Sequence, residues 1–67
     1  MGQNLTTREQ QALEAIAYGN TNAEVAGRLG ITEKTVKNTL RVVFQKMDVR
    51  NRTEAVLTFH NIEWRGK

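Results

Sequence analysis

The 67-residue chain has no cysteine and no proline, and it holds a single histidine, one tryptophan, one tyrosine and two phenylalanines. Each scarcity removes a class of answer. Without cysteine there is neither a disulfide framework nor a thiolate zinc site, and His60 alone cannot assemble a metal cluster. There is no cysteine nucleophile, no second histidine, no phosphate-cradling glycine loop and no clustered carboxylate pair, so neither an enzyme nor a cofactor is expected. Tyr18 and Trp64 do not form the aromatic series on which single-stranded nucleic acid stacks. No apolar run approaches the ~20 residues a membrane span needs. The opening MGQNLTTREQ lacks the apolar centre of a secretory signal. The expectation is therefore a cytoplasmic protein without a membrane partner. Lacking proline, its helices have no built-in interruption.

What the chain does have is positive charge, unevenly placed. The formal total is +3. Residues 1–33 carry Arg8 and Arg28 against Glu9, Glu14, Glu24 and Glu33. Residues 34–52 carry Lys34, Lys37, Arg41, Lys46, Arg50 and Arg52 against Asp48 alone. Charge of one sign gathered on one segment is the electrostatic footprint of a nucleic-acid binder, although a solvated helix face can look the same.

A chain this short implies one domain, spanning 1–67 with a core over about 5–62, and its core is marginal in size. Three places repeat a capping residue followed three positions later by Glu: Thr6 with Glu9, Thr21 with Glu24, and Asn51 with Glu54. In each, the first side chain can accept from a free N–H at a helix start while the glutamate reaches back. Thr32 can cap a further start without the reciprocal partner. Gly19 and Gly30 can take the positive φ that ends a helix. Four helices follow, at about 7–18, 22–29, 33–47 and 52–61, and no alternating run indicates a strand, so the fold class is all-α. Leu13, Ile16, Ala17, Val25, Ala26, Leu29, Ile31, Ala55, Val56, Phe59 and Ile62 are the expected core, completed by the third helix.

That third helix contains TVKNTLRVVFQKM at 35–47. At 100° per residue, Val36, Leu40, Val43, Phe44 and Met47 stay within about 80° of one direction. Lys34, Lys37, Asn38, Arg41 and Gln45 fall at about 100–200°, on the opposite side. This second face holds groove-type side chains and no acid. Lys and Arg can donate to guanine O6 and N7, while Asn and Gln can pair with adenine N6 and N7. Only Gly30-Ile31-Thr32 joins the second and third helices, and so short a turn makes them cross steeply, as in a helix-turn-helix. In that motif the second helix enters the major groove.

The ordered pieces LTTRE, A-x-G at Ala17–Gly19, N-x-E-V-A at Asn22–Ala26, ITEKTVK at Ile31–Lys37 and VRNRTEAV at Val49–Val56 resemble the LuxR-type DNA-binding domain. That domain is the output module of LuxR and of FixJ/NarL-type bacterial response regulators. The resemblance covers about residues 5–57. It implies a four-helix domain that binds double-stranded DNA as a homodimer, with the fourth helix at the dimer contact. By position, Lys37, Asn38 and Arg41 correspond to residues that meet base edges. Lys34, Thr35 and Lys46 correspond to phosphate contacts, as do Thr21 and Asn22; Gln45 is grouped with them. Leu57 and His60 are assigned to the dimer face. Thr39 departs from the family, which often has His there, and Asp48 stands where Gly commonly ends the helix. Arg50 and Arg52 can reach phosphates or cap nearby carbonyls. Related regulators usually carry a receiver or ligand-sensing domain ahead of this module, and none lies within these 67 residues. The rival readings are a protein-interaction module that sets the basic helix on an acidic partner, and a sigma-factor-like promoter module acting with RNA polymerase.

Overall fold

A computed structural model describes residues 4–60, which form α1 (Thr7–Ala17), α2 (Asn22–Leu29), α3 (Glu33–Met47) and α4 (Arg52–Phe59). No strand occurs among the described residues. The all-α, four-helix expectation holds, with α2 and α3 bounded as the sequence indicates and α1 ending one residue earlier. The expected end of α4 at Asn61, the core residue Ile62, and Trp64 lie outside the described residues.

Helix starts follow the capping chemistry, with one change. Thr6 and Glu9 form a reciprocal box, as do Thr21 and Glu24. Thr32 caps α3 by accepting from the Thr35 amide at 3.1 Å. At α4 the Asn51 carboxamide accepts from the Glu54 amide at 2.9 Å, but Glu54 Oε1 takes the amide of Arg50 at 2.8 Å rather than that of the cap. Asn51 enters with φ of −158°. This extended entry, unlike the φ near −75° at the other caps, accompanies the longer reach of Glu54.

The ends are equally local. Gly30 adopts φ of 70° after α2, and Ile31 then donates to the Ala26 carbonyl at 3.0 Å, turning the chain directly into α3. Asp48 closes α3 with φ of 60° and ψ of 42°, taking without glycine the left-handed conformation that glycine adopts most readily.

Ala12, Leu13, Ala15, Ile16, Val25, Ala26, Val36, Leu40, Val43 and Ala55 form the buried cluster, with Leu5, Leu29, Ile31, Phe44, Met47, Val49, Val56 and Phe59 packed around it. Helix α1 meets α3 and α4, while α2 lies on α3. Ala12 and Ala15 extend the buried face of α1 beyond the residues expected to line it. Their short side chains let neighbouring helices approach α1 closely. The three largest fully buried side chains are Val25, Val36 and Val43. Burying such a side chain stabilises by about 1.5–3 kcal/mol relative to exposure.

Two clasps that sequence spacing does not reveal fix the frame. Lys46 Nζ on α3 sits 2.8 Å from Glu9 Oε1 on α1 and 3.4 Å from the Asn4 carbonyl. Arg52, at the first position of α4, donates to the Asn20 carbonyl at 2.6 Å and to Asn22 Oδ1 at 2.9 Å. At the far end of α4, His60 Nε2 lies 2.8 Å from the Ala17 carbonyl. The α1–α2 turn is thus held from both ends of one helix. Asn20 also returns its side-chain amide and its backbone N–H to the Ala15 carbonyl. These bonds occupy the carbonyls that the end of α1 would otherwise leave unpaired.

Candidate nucleic-acid interface

The buried stripe of α3 settles which way the other side points. Val36, Leu40 and Val43 are buried, whereas Lys34, Thr35, Lys37, Asn38, Arg41 and Gln45 are all exposed. None of the side chains of Lys34, Lys37, Asn38, Arg41 and Gln45 makes a hydrogen bond or ion pair among the described residues.

The beginning of α2 lies beside this face. One open groove is lined by Asn22, Glu33, Lys34, Lys37, Asn38 and Arg41. A second shares Asn22, Lys37 and Arg41 and adds Arg50 and Arg52, with Leu40 and Phe44 as apolar lining. The structure therefore brings Asn22, Lys34, Lys37, Asn38 and Arg41 together. Arg52 holds the Asn22 oxygen, which leaves that carboxamide's Nδ2 as its free end. Thr35 Oγ1 accepts from Thr32 Oγ1 at 3.0 Å, so its own hydroxyl proton remains available. Thr21 is exposed, with its hydroxyl oxygen accepting from the Glu24 amide.

The surroundings of four residues bear on the sequence reading. Lys46, assigned above to phosphate, is bound to Glu9; with its side chain 21% exposed and a carboxylate at 2.8 Å, it is not a free cation. The Lys46 ammonium, followed by the Thr6 amide, holds the Glu9 carboxyl below the usual glutamate range. Arg52 is held within the molecule by the Asn20 carbonyl and the Asn22 carboxamide, which are distant in sequence. Arg50 faces Glu54 at 3.5 Å with a largely exposed side chain. The basic face is also not free of acid, because Glu33 lines the same groove as Lys34 and Lys37.

On α4, Leu57 is half-buried. The His60 ring turns to its own chain, in edge-to-face contact with Tyr18 at 5.7 Å and Phe59 at 5.3 Å. Sequence reasoning missed the Lys46 and Arg52 clasps because their partners lie 37 and 30 or more positions away, where helical periodicity carries no signal. The angle of Glu33, about 60° from Val36, falls within the apolar stripe, so its exposed place in the groove was not legible from periodicity.

Among the described residues no cluster of His, Asp and Glu could hold a metal ion, and no helix is long and apolar enough to cross a membrane.

Residues 3–59 match the GerE family, described as bacterial regulatory proteins, luxR family. The transcriptional regulatory protein DesR of Bacillus subtilis is 37% identical over 60 residues, covering 90% of this chain and 30% of the relative. The probable transcriptional regulatory protein SgaR of Hyphomicrobium methylovorum is 44% identical over 54 residues, covering 81% and 26%. The transcriptional regulatory protein LiaR of Bacillus subtilis is 43% identical over 58 residues, covering 87% and 28%. The chain thus spans less than a third of the length of these regulators. With four helices among its described residues, a short α2–α3 turn and a match over residues 3–59, the chain belongs to the luxR family of bacterial regulatory proteins.

Proposed function

We propose that this chain is the sequence-specific, double-stranded DNA-binding part of a transcriptional regulator, and that α3 lies in the major groove. Lys37, Asn38 and Arg41 read base edges. Lys34, Thr35 and Gln45 on α3 meet phosphates, together with Thr21 and Asn22 at the start of α2, where free backbone amides and the helix dipole favour an anion. Lys46 is left out of this set because its ammonium is on Glu9. Two copies pair through α4 around Leu57, since a single small module buries only about 600–1,000 Å² on DNA.

The observation that carries this reading is the outward side of α3. Five donor-bearing side chains share one exposed face with no partner among the described residues, while neighbouring cations are engaged with carboxylates or carbonyls. An unsatisfied cationic face fits a polyanion, and Asn38 with Arg41 fits base edges in particular.

Selection of bound sites from random duplex DNA, followed by titration at several salt concentrations, tests it. The expected result is a preferred sequence and a log–log slope near −0.9 per neutralised phosphate. A module for an acidic protein would respond to salt but enrich no sequence. A promoter module dependent on RNA polymerase would enrich none until polymerase was added. Either outcome overturns the proposal.

A further inference from the structure

Resting on the DNA reading above, we infer that Val42 is a specificity residue that recognises the 5-methyl group of thymine at one position of each half-site. Val42 is 38% exposed and is absent from the apolar side chains packed against the core. Around the helix it sits about 40° from Asn38 and one turn beyond it, so it borders the donor face rather than the buried stripe.

Its presence there runs against local preference. A β-branched residue on an exposed helix surface is a poorer helix former than Lys, Gln or Ala, because χ1 is restricted by the preceding turn. Such departures from local preference concentrate at functional positions. The same restriction makes the residue useful. One rotamer dominates for Val in a helix, so its two methyl groups are already fixed in place and lose little freedom on contact.

In the major groove the base edges offer donors and acceptors, and thymine adds the apolar C5-methyl. An apolar side chain on a helix lying in that groove therefore has one matching surface. The distance is also suitable. Four residues along the helix is about 6 Å, against about 3.4 Å per base step, which places Val42 one to two base pairs from the base read by Asn38.

Replacing thymine by deoxyuridine removes this methyl and leaves the Watson–Crick edge unchanged. The preferred duplex from random-site selection is scanned with deoxyuridine, one thymine position at a time, against the wild-type domain, Val42→Ala and Val42→Thr. For wild type, one position per half-site is expected to lose about fourfold in affinity, the worth of one buried methyl. Val42→Ala binds the thymine duplex more weakly by a similar factor and no longer responds to deoxyuridine there. Val42→Thr, which keeps one methyl, falls between. Alanine is the better helix former, so far-UV circular dichroism of Val42→Ala should match wild type. A preferred site without thymine, or a deoxyuridine response equal in wild type and Val42→Ala at every position, overturns this inference while leaving the DNA reading intact. Failure to enrich any sequence removes the reading beneath it and this inference together.

Discussion

At the scale of single residues, the outward face of α3 carries hydrogen-bond donors without a partner among the described residues, and the proposed reading gives its members different work. Arg41→Ala removes a side chain that can bond guanine twice, so it should cost ~1–3 kcal/mol and relax preference at one base position. Equal weakening on every base-substituted duplex would show that Arg41 meets only the backbone. Glu33 acts in the opposite sense. It stabilises the start of α3 through the helix dipole, yet it adds negative charge beside Lys34 and Lys37. Glu33→Gln should therefore tighten binding to all duplexes severalfold while lowering folding stability by about 0.3–1 kcal/mol. Fluorescence titrations on unrelated duplexes, together with thermal melts, read both halves, and unchanged non-specific affinity would detach Glu33 from the DNA path. Asp48 is a plainer trade. It holds a left-handed conformation at the negative end of a helix, and its carboxylate has no partner among the described residues. Asp48→Gly relieves both costs and should stabilise by about 0.5–1.5 kcal/mol. For a domain of this size that raises the melting temperature by about 4–8 °C per kcal/mol, and a lowered melting temperature would contradict this account.

At the scale of elements, the helices were legible because their signals are local. Thr6 with Glu9 and Thr21 with Glu24 start α1 and α2, Gly30 ends α2, and the Val36–Leu40–Val43 stripe fixes the inward side of α3. The clasps between helices were not legible. Nothing in the spacing of Glu9 and Lys46 marks them as partners; only the docking of α1 on α3 brings them together. The pairing of Lys46 went unseen for the same reason, since a lysine on a basic helix looks free until its partner helix is in place. The Glu9–Lys46 contact has a testable pH signature. The Glu9 carboxyl is held below its ordinary range in the folded domain, chiefly by the Lys46 hydrogen bond. An acid with a depressed folded value contributes stability above its unfolded value, about 4.3, and loses that contribution as pH falls through the depressed one. Lys46→Met keeps an unbranched stem but removes the charge. Wild type should be more stable than Lys46→Met near neutral pH, and the gap should close as pH falls from about 5 toward 3. Denaturant melts of both proteins across that window measure the gap. A gap independent of pH would mean that Lys46 acts through packing alone.

At the scale of the whole molecule, the domain combines the proposed reading face with a core close to the minimum size. A chain of about 60 residues buries only roughly 60% of its unfolded surface, so few side chains are available to hold the proposed reading surface in place. Here α4 supports that surface. Through Arg52 it orients Asn22 and the start of α2, and through His60 it holds the end of α1. The same helix is proposed as the pairing face, so that joining two copies also fixes the separation of two reading helices. Half-sites should then lie one helical turn apart, about 10–10.5 base pairs, or a multiple of it. Because the His60 ring is turned to Ala17, Leu57 is the sharper probe. Leu57→Glu places like charges opposite each other across a two-fold interface. It should lower affinity for a duplex carrying two half-sites by more than tenfold, the factor that corresponds to about 1.4 kcal/mol. Affinity for an isolated half-site should change little. Circular dichroism establishes whether the helices persist, and a milder Leu57→Ser separates loss of pairing from loss of folding. If both variants remain folded and bind two half-sites as wild type does, pairing runs through another surface, and the spacing rule must be sought there.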